Sequence, residues 1–271
     1  MFEFTFSRFI YLDTNIISYL AKNRSIWSQL FNFLYENDLC IGINVQFAEL
    51  CDAKSLHRDL AELFVLLPSA SIKTFDEVVH EEVKAHPQIR SDSLLLFPYN
   101  QLLLEEDGPT VIEDFLKSPK LHEVRKNQLR SAKQFKKRHY QLKPNFPPSK
   151  SGNYTRQQAD EFAWMWVIQH LAIYHRDFMA SFKDKMEEFY SEVFLSLRLI
   201  ALVMFYKYYL GRRDPNKLSD FADLFHLYAI PYCKTVIMER DLCNIMHQIR
   251  SHHNILETTS IHNIDFFEDW K

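Results

Sequence analysis

Arg8-Phe9-Ile10-Tyr11-Leu12, followed at once by Asp13-Thr14-Asn15, is the stretch on which the fold turns. The first five residues are rich in β-branched and aromatic side chains, which reads as a strand. Thr14 or Asn15 caps a helix that runs on through Leu20. Asp13 therefore stands where a strand stops and a helix begins. Trp27, Leu30, Phe31 and Leu34 then recur at helical spacing, in a helix expected to end near Asp38. Leu39–Ile43 (L-C-I-G-I) reads as a second, buried strand, and Asn44 caps a helix carrying Glu49. Ser71–Phe75 is expected as a third strand, with a charged helix from Asp76 to His86 stopping before Pro87. Near the other end of the chain, Leu218–Ala229 reads as helix, Thr235–Met238 (T-V-I-M) as strand and Arg240–Ile249 as helix. Asn254–Phe267 is expected to add one or two edge strands. Strands alternating with helices through short connections predict an α/β fold with a parallel sheet flanked by helices.

The middle of the chain follows a different rule. From about Ser91 to Leu210 the periodicity is helical and strand signals are nearly absent. A Pro-rich loop, Lys143–Gly152, interrupts it. Gln157–Tyr174 and Asp184–Tyr209 read as long aromatic-rich helices, dense enough in Phe, Tyr and Trp to bury a core of their own or to dimerise. The expected organisation is a split α/β domain, residues 1–90 and 211–271, around a mostly helical inserted subdomain, residues 91–210.

Composition narrows the chemistry. The 271 residues include only 4 Gly, against about nineteen at average usage. Glycine-rich phosphate cradles are thereby excluded, so phosphate handling must rest on side chains or metal ions. Cys40, Cys51, Cys233 and Cys243 have no zinc-ligand spacing and read as small buried thiols. The N-terminal stretch lacks the pattern of a signal peptide. Val193–Tyr209 is broken by Arg198 and Lys207 and is too short to span a bilayer. A cytoplasmic chain with no membrane segment is the expectation.

Acidic residues collect where the strands stop. Asp13 follows the first strand, Glu49 lies on the helix after the second, and Asp241 follows the last apolar strand. Asp220 and Asp223 share a face of the preceding helix. Asp52, on the same helix face as Glu49, is an alternative to it. Ligands gather at the carboxyl ends of strands in open α/β sheets. Four carboxylates held together repel unless a cation neutralises them, and such oxygen-rich sites suit Mg²⁺ or Mn²⁺.

Tyr11-Leu12-Asp13-Thr14-Asn15 and Phe47-Ala48-Glu49-Leu50, with Asp223-Leu224-Phe225-His226 and Asp241 after an apolar strand, resemble a PIN domain, the VapC-like nuclease fold. The resemblance covers roughly residues 8–56 and 216–262. It implies an acidic catalytic quartet of Asp13, Glu49, Asp223 and Asp241, with Asp13, Asp223 and Asp241 as metal ligands and Asp220 either a further ligand or a helix cap. Thr14 and Asn15 would support the first loop. It implies a metal-dependent endoribonuclease leaving 5′-phosphate and 3′-hydroxyl ends, in the setting of a toxin or an anti-phage effector, restrained by an antitoxin or other regulatory protein. The same metal site would serve a DNA nuclease, and a catalytically silent RNA-binding or scaffold protein would keep the fold. Two departures stand out: Glu239 where many members carry Thr or Ser, and Cys243 where a further acid is common.

From Lys117 to Lys143 the chain carries ten Lys and Arg against one acid, Glu123. Arg125, with Lys126 beside it, and then Arg130, Lys133 and Lys137 fall on one helical stripe, and Lys136 and Arg138 belong to the same basic run. Phe135, His139 and Tyr140 are interleaved. Cations of this density release counterions from phosphates, and aromatics stack on unpaired bases. RNA is the expected partner, whether single-stranded or not.

Overall fold

A computed structural model describes residues 8–99, 107–149, 152–213, 215 and 218–270. Six strands form one sheet: β1 (Arg8–Leu12), β2 (Leu39–Ile43), β3 (Ser69–Ile72), β4 (Leu95–Pro98), β5 (Thr235–Met238) and β6 (Ser260–Asn263). Their order is β4-β3-β2-β1-β5-β6. Every neighbouring pair is parallel except β3 with β4. The fold is α/β with a mostly parallel sheet, as expected. The bounds of β1, β2 and β5 are those read from the sequence. β4 was not expected: it is four residues long, partly exposed, and too short to show a pattern. The segment Asn254–Phe267 supplies one parallel strand and then a 3₁₀ turn, Ile264–Trp270.

The helices of the first half are α1 (Thr14–Lys22), α2 (Trp27–Glu36), α3 (Gln46–Leu50), α4 (His57–Leu66) and α5 (Phe75–Ala85). Those of the middle are α6 (Gly108–Lys117), α7 (Pro119–Leu142), α8 (Arg156–Tyr174), α9 (Arg176–Ala180) and α10 (Leu195–Phe205). The last two are α11 (Ser219–Ala222) and α12 (Arg240–His252). Among the described residues, no single helix is long and apolar enough to cross a membrane.

Successive side chains of a strand point to opposite faces, and β1 shows the consequence. Ile10 and Leu12 join Ile41, Ile43 and Ile237 in a core closed by α1, α2, α4 and α6. Phe9 and Tyr11 face the other way, with Val236 and Met238, into a core built from α5, α7, α8, α10 and α12. The helices of residues 91–210 thus share a core with the sheet, through Phe135, Phe162, Trp166 and Phe205. Gly42 permits the Phe9 ring to lie against β2, where a Cβ would collide with it.

Two expected helices take another form. The helix expected from Asp184 begins only at Leu195, after two 3₁₀ turns, because Phe189 and Phe194 stack on His86 instead of continuing a helical face. It ends in a π turn, Tyr206–Leu210. The helix expected over Leu218–Ala229 is α-helical only for α11 and tightens into a 3₁₀ helix, Asp223–Tyr232, with Pro231 near its end. The breaks at Lys143–Gly152 and Gly211–Pro215 include Lys150, Ser151 and Asp214, which lie outside the described residues.

Candidate functional site

The chain leaves β1 for β2 and β3 on one side and reaches β5 and β6 on the other. The order therefore reverses between β1 and β5, and the crevice at their carboxyl ends is where such sheets bind ligands. Asp13 sits there. Its backbone N–H donates to the Ile237 carbonyl at 3.0 Å, tying the end of β1 to β5. Its carboxylate accepts from the Thr14 N–H at 2.7 Å, so Asp13 rather than Thr14 or Asn15 is the cap of α1. Buried Gln46 donates to the Leu12 carbonyl and fixes the β2–α3 turn beside it.

Glu49 faces Asp13 from α3. Its Oε2 accepts from the Thr14 hydroxyl at 2.9 Å. Its Oε1 meets Arg125 Nη1 at 2.9 Å and His226 Nε2 at 3.0 Å. Burial alone would raise the Glu49 carboxyl, but His226, the Thr14 hydroxyl and Arg125 together hold it at about 2. The third acid, Asp223, opens the 3₁₀ helix. Side chains three apart eclipse in that geometry, which sets Asp223 and His226 on one face toward Glu49. The Asp223 carboxyl is pushed up to about 6 by desolvation first and by Glu49 second, with Asp13 adding and His226 and Lys207 opposing. Asp13 is also raised, by burial first, then by Glu239 and Glu49 against the pull of His226 and the Thr14 N–H. Asp13, Glu49 and Asp223 therefore share one electrostatic environment. Two of the three are destabilised as anions.

The remaining predicted ligands fall elsewhere. Asp241 lies in the first turn of α12, 68% exposed, in an ion pair with Arg213 at 2.7 Å. Its neighbour Glu239 takes the place by β1 instead, accepting a hydrogen bond from Asn15. The reason is backbone position: Glu239 directly follows β5 at the N-cap position of α12, whereas Asp241 is already in the first turn of the helix. Asp220 is on α11, where its carbonyl accepts from the Tyr208 hydroxyl. Asp52, 66% exposed, faces Arg125 Nε at 3.8 Å. The sequence reading missed His226 as a partner of Glu49, although it stands inside the quoted D-L-F-H motif. It also gave no sign that Arg125 turns inward.

The basic run of α7 divides. Lys126, Arg130, Lys133 and Lys137 are exposed and Lys136 half-buried, as a phosphate-binding face requires. Lys126 and Arg130 share Glu123 as a counter-charge. Arg138 does not belong to that face. It is buried against Trp166 and Phe135, 3.4 Å from His170 Nδ1. Phe135 and His139 are likewise in the core, so among the three interleaved aromatics only Tyr140 is exposed. The helix turns every 3.6 residues, so a continuous basic run presents cations all round and some of them meet the core.

Scans against protein-family models, curated proteins and solved structures match nothing to this chain.

The donor chemistry fits a hard divalent cation in part. Half-buried Asp13 is raised by burial and like charge, the condition a cation relieves; Asp223 shifts in the same sense, but its side chain is exposed and solvent screens it. Glu49 is already neutralised by groups of the protein itself. Among the described residues, the one group of three or more His, Cys, Asp or Glu whose ligand atoms all lie within 4.8 Å of one another is Cys51, Asp52 and His122. Asp13, Glu49 and Asp223 do not form such a group.

Proposed function

We propose that this chain is a metal-dependent nuclease of PIN type, acting on the phosphodiester bonds of single-stranded RNA. One observation carries the reading: Glu49 bonds the Thr14 hydroxyl next to Asp13 and His226 three residues after Asp223, which brings acids of three separate elements to the carboxyl ends of β1 and β2, with half-buried Asp13 disfavoured as an anion. Proteins keep such strained charges at sites of function. Asp13 and Asp223 would hold Mg²⁺ or Mn²⁺, with Glu239 rather than Asp241 on the Asp13 side. A bound divalent cation lowers the pKa of its water and stabilises charge on the leaving oxygen. The chain's own groups position the rest. Thr14 and His226 orient Glu49, Asn15 holds Glu239, and the exposed cations of α7 draw in the phosphate backbone. The place of such a nuclease as a toxin or anti-phage effector under a protein regulator belongs to the same proposal.

The test is incubation of end-labelled RNA, and of DNA of the same sequence, with Mg²⁺, with Mn²⁺ and with chelator. Metal-dependent RNA products bearing 5′-phosphates support the proposal, and equal cutting of DNA makes the enzyme a general nuclease. The second reading is a catalytically silent RNA-binding protein, favoured by the saturation of Glu49 with Thr14, Arg125 and His226. RNA binding without cleavage under any metal would establish it.

The binding face gives its own expectation. Reversing Lys133 and Lys137 to Glu should weaken RNA binding and lower the salt slope by about 1.4, at roughly 0.7 per single-strand phosphate contact. Arg138→Met, being a change in the core, should leave the slope unchanged. Binding titrations across a salt series check both. An unchanged slope in the double reversal would remove α7 from the interface.

A further inference from the structure

We infer that Arg125 is a built-in counter-ion of the acidic site, holding Glu49 away from a divalent cation until a phosphodiester takes the guanidinium in its place. The inference rests on the nuclease reading and adds to it a coupling between metal and nucleic acid. A carboxylate offers about four lone-pair positions. Three of those on Glu49 are occupied: Oε2 by the Thr14 hydroxyl, and Oε1 by Arg125 at 2.9 Å and His226 at 3.0 Å. Among these partners Arg125 carries a fixed charge, so it also repels an incoming cation.

Arg125 is placed for this role by its surroundings. It reaches from α7, in the segment between β4 and α8, across to the α3 end of the sheet. Gln128, one turn on, accepts from the same Nη1 at 2.8 Å, and Asp52 lies 3.8 Å from Nε. The guanidinium is thus aimed by three groups and is still about a fifth exposed, within reach of solvent-borne phosphate. Along the same helix, the exposed Lys126, Arg130, Lys133 and Lys137 lead outward from it. A guanidinium binds phosphate and carboxylate with the same planar fork. A phosphodiester arriving along α7 therefore competes with Glu49 for Arg125 and frees the carboxylate. By linkage, whatever tightens the cation when nucleic acid binds tightens nucleic acid when the cation binds, by the same factor.

The test is Mn²⁺ binding, measured by calorimetry and by the paramagnetic signal of free Mn²⁺, without any cleavage readout. Wild type, Arg125→Gln and Arg130→Gln are compared, with and without a single-stranded phosphorothioate oligonucleotide. Without the oligonucleotide, Arg125→Gln should bind Mn²⁺ about ten-fold more tightly than wild type, or about 1.4 kcal/mol. Arg130→Gln removes the same charge from α7 without touching Glu49, and should stay close to wild type. The oligonucleotide should tighten Mn²⁺ in wild type by a larger factor than in Arg125→Gln. Should Arg125→Gln fail to fold, Arg125→Lys keeps the charge but loses the fork, and should show the same gain in smaller measure. Equal Mn²⁺ affinity in wild type and the Arg125 variants, or an equal gain in Arg130→Gln, overturns the inference and leaves the nuclease reading standing. No Mn²⁺ binding by any of these proteins overturns both.

Discussion

Asp13→Asn should reduce cleavage by at least about a hundredfold, the scale on which one preorganised electrostatic group acts. The fold should survive. The Asp13 carboxylate caps α1 by accepting from the Thr14 N–H, and an asparagine carbonyl accepts equally well at that position. The substitution also removes an anion that burial, Glu239 and Glu49 all disfavour. The Asp13→Asn variant should therefore keep thermal stability at neutral pH equal to or above that of wild type while activity is lost. That combination separates a functional acid from a structural one, because loss of a structural cap lowers stability. Cleavage assays and thermal melts on the same preparation decide it. Retained cleavage in Asp13→Asn, purified free of wild-type protein, would sink the assignment of Asp13.

The second large effect lies away from the site. Glu82 is fully buried, with Oε1 accepting from the Ser196 N–H at 2.8 Å and the Tyr232 hydroxyl at 2.6 Å. Its other oxygen has no partner among the described residues. Burial pushes its carboxyl up to about 7, against the pull of Tyr232, Ser196 and Arg90. Between the ordinary carboxylate range and about 7, the folded chain keeps a proton that the unfolded chain has released. Stability attributable to Glu82 therefore falls as pH rises through that window and levels off above it. A displacement of this size corresponds to about 3 kcal/mol. His170, pushed down to about 3 by burial first and by Arg138 and His175 after it, works in the opposite sense, favouring the fold as pH rises from about 3 to its ordinary value. The observable is therefore the difference between Glu82→Gln and wild type, followed by denaturant unfolding across pH. That difference should grow in favour of the glutamine variant as pH rises toward 7 and stay constant above. A difference independent of pH would show that the Glu82 carboxyl titrates alike in the folded and unfolded chain.

The sequence carries the strands more faithfully than it carries the site. β1, β2 and β5 are short, apolar and bounded by residues that stop strands, so local pattern alone sets their limits. β4 escaped because four half-exposed residues pairing antiparallel at an edge leave no local mark. The placement of Asp13, Glu49 and Asp223 at neighbouring element ends was legible because each follows or adjoins an element whose position is itself legible. Asp241 was misplaced by two residues' worth of geometry: the end of β5 delivers Glu239 to Asn15, and the turn into α12 carries Asp241 outward to Arg213. What no local pattern could supply were the long-range pairings. Arg125 meets Glu49 across 76 positions, and Arg138 finds Trp166 only once α7 and α8 pack. His253 is buried between Tyr206 and Asp160 for the same reason.

The most direct test of the central claim is a crystal of the full chain soaked in Mn²⁺ and measured at the manganese absorption edge. Anomalous density within ligand distance of Asp13 and Asp223, with Glu239 closer to it than Asp241, is the expected result. An anomalous map with no peak between Asp13 and Asp223, or manganese bound only at other sites on the chain, would contradict the assignment of this crevice as a metal-dependent nuclease site.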